Sequence, residues 1–518
     1  MINFSEPYYS KNCLKYIENG IINNVLYNKK CEDLLNKKYD FKHSILTTSC
    51  THSLEMMAMI LNIGYGDEIL VPSFTFVSTA NAFIKFGATV KCIDSEKNNP
   101  NIDANQIKKN ISKKTKALVI VHYAGWSCDM NKIVEICKKY NIYLLEDAAQ
   151  AINCYYKNRP LGTFGVLSAF SFHSTKNINC GEGGLLVIND IKLIEKAHII
   201  CDKGTNRYDF LNNKINKYEW IDRGSSYPLS NINACYLYEQ LIHIDIIIEN
   251  RKLLWKTYKK NLKVLENNDL FFLCKEYKNC IGNYHIFYIL FKNNYELNNI
   301  YKYLKSNNID SCTHYIPLHK SKYYLTNFNK CILKNSENIS DTLLRLPLHY
   351  KLNVSNIKYI CDIIKNYYNY NIYNILYKNL SNKQIEDIIN LKSQFWKYSN
   401  NEQKKWIEKN IKKEDSNILI YKNNKLICYG VILNRNCKII DSIIVDKKNK
   451  NFGYGSILIN YISKYIKNNV FLLCEKKNIN FYKKNGWILN NKIKINNKKI
   501  NINLNKMIYN FNLKNIIY

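Results

Sequence analysis

No CxxC pair occurs among the 18 cysteines. The nearest two, Cys274 and Cys280, are too far apart for a knuckle-type zinc site, so no metal is expected. No apolar run reaches the length of a membrane span, and Met1 to Pro7 carries no apolar signal core. The expectation is a cytoplasmic protein with reduced thiols and no membrane insertion. A basic arm is also missing. The formal net charge is +33, yet the lysines are scattered, as in Lys29-Lys30, Lys108-Lys109, Lys412-Lys413 and Lys447-Lys448. Scattered charge reads as a solvated surface, with at most sequence-indifferent polyanion binding at low salt and no specific nucleic acid. Internal repeats are absent.

What is present is length and apolar mass. At 518 residues the chain exceeds one ordinary core and implies two or three domains. Hydrophobic residues at 46% allow a sizeable core. From about residue 40 to 190, helical stretches alternate with short apolar runs. Thr51–Leu61 and Met130–Tyr140 read as helices. Glu68–Pro72, Thr89–Asp94, Ala117–His122 and Ile142–Glu146 read as strands. This alternation implies an α/β fold with a mostly parallel sheet, whose chemistry gathers at the strands' carboxyl ends. A long helical stretch begins near residue 235, and a mixed second lobe runs to about 368. Residues 371–384, rich in Asn and Tyr, read as a linker. Beyond them come a helix near Ile385–Lys397, strands at Ile418–Tyr421, Lys425–Leu433 and Lys438–Val445, a Gly-rich turn and another helix.

Four segments fall where chemistry is expected. Thr48 to Ser53 opens a helix with hydroxyl side chains and free N–H groups, which suits a phosphate or a plain N-cap. Glu146-Asp147-Ala148-Ala149-Gln150 follows an apolar strand. A pyridine cofactor needs a carboxylate at its ring nitrogen, and such an acid could supply it. Ser171 to Asn177 sets Lys176 on a small-residue turn ahead of Gly181-Glu182-Gly183-Gly184, where an amine can be desolvated and the backbone can approach a flat ligand. Pro72 to Asn81 places Phe76 past a strand end, either as core or as a stacking ring.

In this order and spacing, with Gly66-Asp67-Glu68 and Val121 to Gly125, these segments resemble the sugar-nucleotide aminotransferases of the DegT/DnrJ/EryC1/StrS family. The likeness covers about residues 1–368. Within that family, Lys203 to Arg207, Arg223 to Tyr227, His314 to His319 and Leu344 to Leu348 look most like enzymes making dTDP-4-amino-4,6-dideoxygalactose. The resemblance implies a fold-type I pyridoxal-phosphate (PLP) transferase: a large domain at 1–245 and a small α+β lobe at 246–370. It implies that Lys176 bonds the cofactor and moves the proton, and that Asp147 meets the pyridine nitrogen. Gln150 would reach the ring hydroxyl and Phe76 would stack on the ring. Ser49, Cys50, Thr51 and Ser171 would hold the phosphate. Tyr315 and His319 would lie at the nucleotide-sugar. A partner-subunit phosphate contact is implied near Tyr227-Pro228-Leu229, where Pro228 stands in place of the family's common Asn, so that Ser225 or Ser226 would replace it. A homodimer follows from the same likeness.

Residues 385–518 hold a second constellation. Lys450-Asn451-Phe452-Gly453-Tyr454-Gly455-Ser456 lies between a strand and a helix, and glycines there free N–H groups for a pyrophosphate. After a strand at Val470–Cys474 comes Asn480 to Trp487. The pair resembles the GNAT acetyltransferases, with Lys450 where Arg or Gln is usual and Trp487 in place of Phe. This implies that Lys450 and Phe452 to Ser456 bind acetyl-CoA, and that Tyr482 protonates the departing thiolate. Glu475 is the one carboxylate suggested as base, with a water chain as the other option.

Together these imply a cytoplasmic bifunctional enzyme. L-Glutamate would aminate a dTDP-4-keto-6-deoxyhexose, with galacto configuration, and acetyl-CoA would cap the amine; fusion would raise the local concentration of the intermediate. The open alternatives are a glucose-configured (viosamine-type) or 3-keto-sugar aminotransferase, with the C-terminal domain acting on another amine or inactive.

Overall fold

The structure, a computed structural model, describes residues 1–435, 438–465, 470–474, 476–489 and 505–509. The chain forms two compact units: Met1–Leu297 with Leu304–Asp362, and Asn298–Tyr303 with Ile363–Tyr518.

The first unit is built on a seven-stranded sheet. Its strands are β1 (His43–Thr47), β2 (Glu68–Pro72), β3 (Thr89–Ile93), β4 (Thr115–Val121), β5 (Tyr143–Asp147), β6 (Leu167–Ser171) and β7 (Gly184–Ile188), in the order β1-β7-β6-β5-β4-β2-β3. Pairing from β6 through β3 is parallel, and β7 runs antiparallel to β6 and β1. Helices cover both faces of such a sheet, so its central strands need apolar side chains on both. Leu118, Val119 and Ile120 of β4 are accordingly fully buried, each contributing roughly 1.5–3 kcal/mol of apolar burial.

Helix α1 (Cys50–Ile60) starts directly beyond β1 because Ser49 caps it: the Ser49 hydroxyl accepts from His52 N–H at 3.2 Å. Helix α2 (Met130–Tyr140) leads into β5. The long helical stretch expected from residue 235 is two helices, α3 (Asn231–Ile242) and α4 (Ile244–Asn267), meeting at His243. A smaller antiparallel sheet, β8 (Phe271–Leu273), β9 (Phe287–Phe291) and β10 (Leu343–Leu346), lies within the same unit, in the order β8-β9-β10.

The second unit has a sheet of β11 (Asn371–Leu376), β12 (Ser416–Lys422), β13 (Lys425–Asn434), β14 (Lys438–Val445), β15 (Val470–Cys474), β16 (Ile488–Leu489) and β17 (Asn505–Tyr509), in the order β11-β12-β13-β14-β15-β17-β16. Residues 371–384, expected as a linker, instead supply the edge strand β11, paired in full with β12, and then the start of helix α5 (Asn382–Ser393). A capping box fixes that start, with Ser381 and Gln384 bonding each other's backbone N–H. Helices α6 (Asn400–Asn410), α7 (Tyr454–Tyr465) and α8 (Ile479–Lys484) complete the described part. No helix among the described residues is long and apolar enough to cross a membrane.

Candidate active site

The register brings one edge of the first sheet to a point. Thr47 of β1 and Ser171 of β6 both pair with Gly184 of β7, and Val121 of β4 pairs with Asp147 of β5. Against this edge lies a cavity of about 500 Å³. Ser49, Cys50, Thr51, Phe76, Asp147, Gln150, Ser171, Lys176 and Tyr315 all line it, so the segments singled out in the sequence converge there.

The candidate phosphate cradle depends on close backbone approach. A Cβ on Gly184 would fall 2.4 Å from the Ser49 carbonyl carbon and 2.5 Å from Cys50 N. Only glycine lets β7 pass this near the first turn of α1. The Thr51 hydroxyl bonds that of Ser78 at 2.8 Å, and Ser78 and Ser171 also face the cavity. Hydroxyls at a helix N-terminus form an anion site.

The paired acids at the end of β5 separate by the strand's alternation. Asp147 faces the cavity, where its carboxylate accepts from Thr79 Oγ1 at 2.7 Å and from Ala149 N–H at 3.2 Å. Burial pushes its pKa up, and the Thr79 bond opposes that. Glu146 turns the other way. It accepts from Gly162, Phe164 and Gly165 N–H at 2.8, 2.7 and 2.7 Å and contacts His122 Nε2 at 3.0 Å. Burial works to raise its pKa, but the His122 and backbone bonds together hold it below the ordinary carboxylate value.

Lys176 is half-buried on the turn after β6. Burial lowers its pKa, against the pull of Cys50 and Asp147. A lowered amine is a better nucleophile and proton carrier. Phe76 is 57% exposed at the cavity and lies 6.2 Å, centre to centre, from the Tyr315 ring, leaving its ring free to cover a flat ligand. Gln150 Oε1 accepts from Ala124 N–H at 2.6 Å, which fixes the side chain at the wall. A carboxylate, an amine, a hydroxyl-lined helix start and an exposed ring around one cavity fit PLP.

One expectation falls elsewhere. His319, expected at the nucleotide-sugar, is fully buried and does not line the cavity. Its ring bridges the Ser73 hydroxyl at 2.6 Å and Glu337 at 3.1 Å, a role inside the fold. The run Tyr227-Pro228-Leu229 straps onto its own chain: Thr48 N–H donates to Tyr227 O at 2.9 Å, and Leu229 N–H to Leu46 O at 3.3 Å. Ser225 N–H donates to Ile200 O at 3.0 Å, and Ser226 bridges Asp202. Conversely, His285, His314 and Arg345 line the cavity though the motif reading gave them no role. No local pattern marks His285, which lies more than a hundred residues from Lys176.

In the second unit, β14 and β15 pair in parallel only over Lys438–Ile440 with Val470–Leu472, and β14 then continues unpaired by β15 to Val445. A bulge with Ser442 at φ +55° bends β14 at the point of divergence. Gly453, at φ +89°, makes the turn into α7 in a backbone region that side chains disfavour. Ser456 and Ile457 N–H donate to Gly453 O at 2.9 and 3.0 Å, so the N–H groups at Tyr454 and Gly455 precede the first intrahelical bonds. Lys450 is exposed just ahead, and the Phe452 carbonyl accepts from the Tyr367 hydroxyl at 2.7 Å. The Tyr454 side chain is fully buried core, which leaves its backbone for a ligand. Among the described residues the buried Ser456 hydroxyl has no hydrogen-bond partner. These groups fit the pyrophosphate of acetyl-CoA. Tyr482 on α8 is nearly buried, and burial raises its pKa, with Cys474 and Asp441 adding to the shift. Asp441, one residue before the bulge, accepts from the Ser442 hydroxyl at 2.9 Å. Glu475 lies outside the described residues.

Among the described residues, no group of three or more His, Cys, Asp or Glu could hold a metal ion. Comparison with known proteins gives a family match in each part of the chain. Residues 8–365 match the DegT/DnrJ/EryC1/StrS aminotransferase family, and residues 385–487 the acetyltransferase (GNAT) family. An uncharacterized protein of Methanocaldococcus jannaschii is 30% identical over 65% of this chain and 88% of its own length. GDP-perosamine synthase of Escherichia coli O157:H7 is 29% identical over 66% of this chain and 90% of its own. Among solved structures, Helicobacter pylori PseC, an aminotransferase in pseudoaminic acid biosynthesis, matches with TM-score 0.65 and 27% identity, covering 70% of this chain and 98% of that one. The chain therefore belongs to the DegT/DnrJ/EryC1/StrS aminotransferases, α/β enzymes of fold type I that use PLP, and carries a C-terminal GNAT acetyltransferase domain that uses acetyl-CoA.

Proposed function

We propose that the first unit transfers the amino group of L-glutamate to the C4 ketone of a dTDP-4-keto-6-deoxyhexose, giving the galacto-configured 4-amino-4,6-dideoxyhexose. The observation that carries this is the convergence of Lys176, Asp147 and the Ser49–Thr51 helix start on one cavity. When bound, PLP supplies the electron sink for cleaving a C–H bond next to nitrogen. Asp147, held by Thr79, would keep the pyridine nitrogen protonated. Ser49, Thr51, Ser171 and the first turn of α1 would hold the phosphate, and Phe76 would cover the ring. Lys176, with the pKa of its amine lowered by burial, would hold the cofactor between turnovers and would carry the proton in each half-reaction.

The second unit then acetylates the new amine. The start of α7 binds the pyrophosphate of acetyl-CoA, Asp441 takes a proton from the amine, and Tyr482 returns one to the thiolate. Asp441 earns this role by sitting at the bulge that splits β14 from β15, in electrostatic range of Tyr482. The working assembly is a homodimer in the cytoplasm. Its support is exposed apolar surface on the segment after residue 206, where Leu211, Trp220 and Ile221 lie open and Trp220 is 79% exposed.

A GDP-linked 4-keto sugar is the second reading, favoured by the likeness to two GDP-perosamine synthases. The test offers dTDP- and GDP-linked keto-sugars to the purified full chain with PLP and L-glutamate, with and without acetyl-CoA, and reads product masses. A dTDP-linked amino sugar, converted to its acetamido form when acetyl-CoA is present, is expected. Turnover of GDP-sugars alone overturns the dTDP assignment, and amination without acetylation overturns the second step.

A further inference from the structure

The cavity holds a second cation besides Lys176. Arg345 sits on β10, where its backbone N–H donates to Cys312 O at 2.8 Å and its carbonyl accepts from Cys312 N–H at 3.2 Å. This clamp fixes the guanidinium at the wall lined by Phe4, His314 and Tyr315. Its plane lies over the Phe4 ring, 4.9 Å from the centre, and one terminal nitrogen is 2.8 Å from His314 Nε2. Among the described residues the guanidinium of Arg345 meets an imidazole and a ring and no Asp or Glu, and its Nε is buried without a hydrogen-bond partner. A guanidinium so placed, beside an imidazole and a ring, has no anionic partner among the described residues. Burial is costly for such a cation unless an anion arrives.

We propose that Arg345 binds a carboxylate of the amino donor. This rests on the aminotransferase reading above. Two features select a carboxylate over the sugar's diphosphate. A planar guanidinium presents paired donors that match a carboxylate's two oxygens. The donor must also bring its α-amino group to the place Lys176 occupies between turnovers, and Arg345 acts on Lys176 electrostatically across the same cavity. The reacting C4 of a hexose lies across the ring from C1, which bears the diphosphate, so that group is directed away from Lys176. The cofactor's own phosphate is already served by the hydroxyls and helix start on the sheet side. His314, neutral because burial and Arg345 both depress its pKa, to about 2, accepts from the guanidinium and orients it without competing as an anion.

The test separates the two half-reactions in the PLP-loaded full chain. Stopped-flow absorbance follows conversion of the cofactor by L-glutamate, and separately the return reaction with the keto-sugar nucleotide turned over by the wild type. In Arg345→Gln, half-saturation by L-glutamate is expected to rise about 10- to 100-fold, as for loss of a charged hydrogen bond, while the keto-sugar half-reaction stays within about threefold. Arg345→Lys should recover part of the glutamate affinity. A variant impaired only toward the keto-sugar would show that Arg345 holds the diphosphate and overturn the proposal. Equal impairment of both halves, with weakened cofactor binding, would also overturn it by revealing a purely structural role. If the wild type itself reacts with neither substrate, it is the aminotransferase reading that fails.

Discussion

Replacing Gly184 by alanine probes how the phosphate cradle is held. The added Cβ would lie 2.4 Å from the Ser49 carbonyl carbon, 2.5 Å from Cys50 N and 2.5 Å from Ser49 O. Carbon contacts normally settle near ~3.5–4.0 Å, so the first turn of α1 must retreat by about 1 Å. All three neighbours are backbone, and no side chain can swing aside. Nor can β7 slide, because Gly184 is paired on both sides, with Thr47 and with Ser171. Overpacking of this kind costs about 1–3 kcal/mol of stability. Shifting the helix start also withdraws N–H groups from the phosphate. Loss of one charge-assisted bond, about 1.5–3 kcal/mol, weakens PLP binding roughly 10- to 100-fold. Equilibrium titration of the apoprotein with PLP, followed by absorbance, reads this directly. Gly66→Ala is the control: Gly66 has φ +88° with nothing within 4 Å of its would-be Cβ, so alanine there strains the backbone without touching the cradle. It should lower urea stability and leave PLP affinity intact. A Gly184→Ala protein that binds PLP within twofold of wild type would refute the steric argument.

Two further predictions concern Glu146 and Tyr482. Glu146→Gln leaves a buried hydrogen-bond cluster without its charge, and should cost about 3–5 kcal/mol at neutral pH. Because the folded-state pKa of Glu146 lies below its ordinary value, its stabilisation is present above the carboxylate range and lost as pH falls through the folded value. The stability gap between wild type and variant, from urea unfolding at several pH values, should therefore narrow below about pH 4; a gap constant from pH 7 to pH 3 would contradict this. Tyr482→Phe should slow acetyl transfer about 100-fold, in the range of a lost general acid, with glutamate-dependent amination unchanged. Undiminished acetylation by mass spectrometry would remove Tyr482 from the mechanism.

Much of the catalytic edge was legible because it is written in short contiguous runs. The strands Glu68–Pro72 and Lys438–Val445 occupy the residues expected from their apolar pattern. Lys176, Asp147 and Ser49 stand at strand ends, where composition and position agree. Arg345 was not legible as a site residue: the run Leu344 to Leu348 carried a family likeness, but nothing local in it assigns a role to one arginine in a chain with 75 Lys and Arg. Its place in the cavity comes from β9–β10 pairing and the contact with Cys312. For His319 the limit was direction. The run His314 to His319 reached the right neighbourhood, but the turn Leu318–Lys320 aims the second ring at Ser73 and Glu337. The false linker had a different cause. An edge strand such as Asn371–Leu376 is defined by a partner forty to fifty residues on, and its alternation is blurred by Asn and Tyr. The capping box at Ser381 and Gln384 was a usable local signal that a helix began before residue 385.

The adjacent acids on β5 carry a consequence for how this sheet can change. Glu146 serves the loop at 162–165, and Asp147 serves the cavity. A one-residue slip in the pairing of β5 with β4 and β6 would exchange them, aiming the loop's anchor at the ligand and the ligand's acid at the loop. Strand register is thus itself a chemical specification. An insertion or deletion within β5 would be read as an altered reagent set even if every catalytic residue remained in the chain, whereas the same change in the exposed turn after Asn189 would leave the assignment of acids untouched.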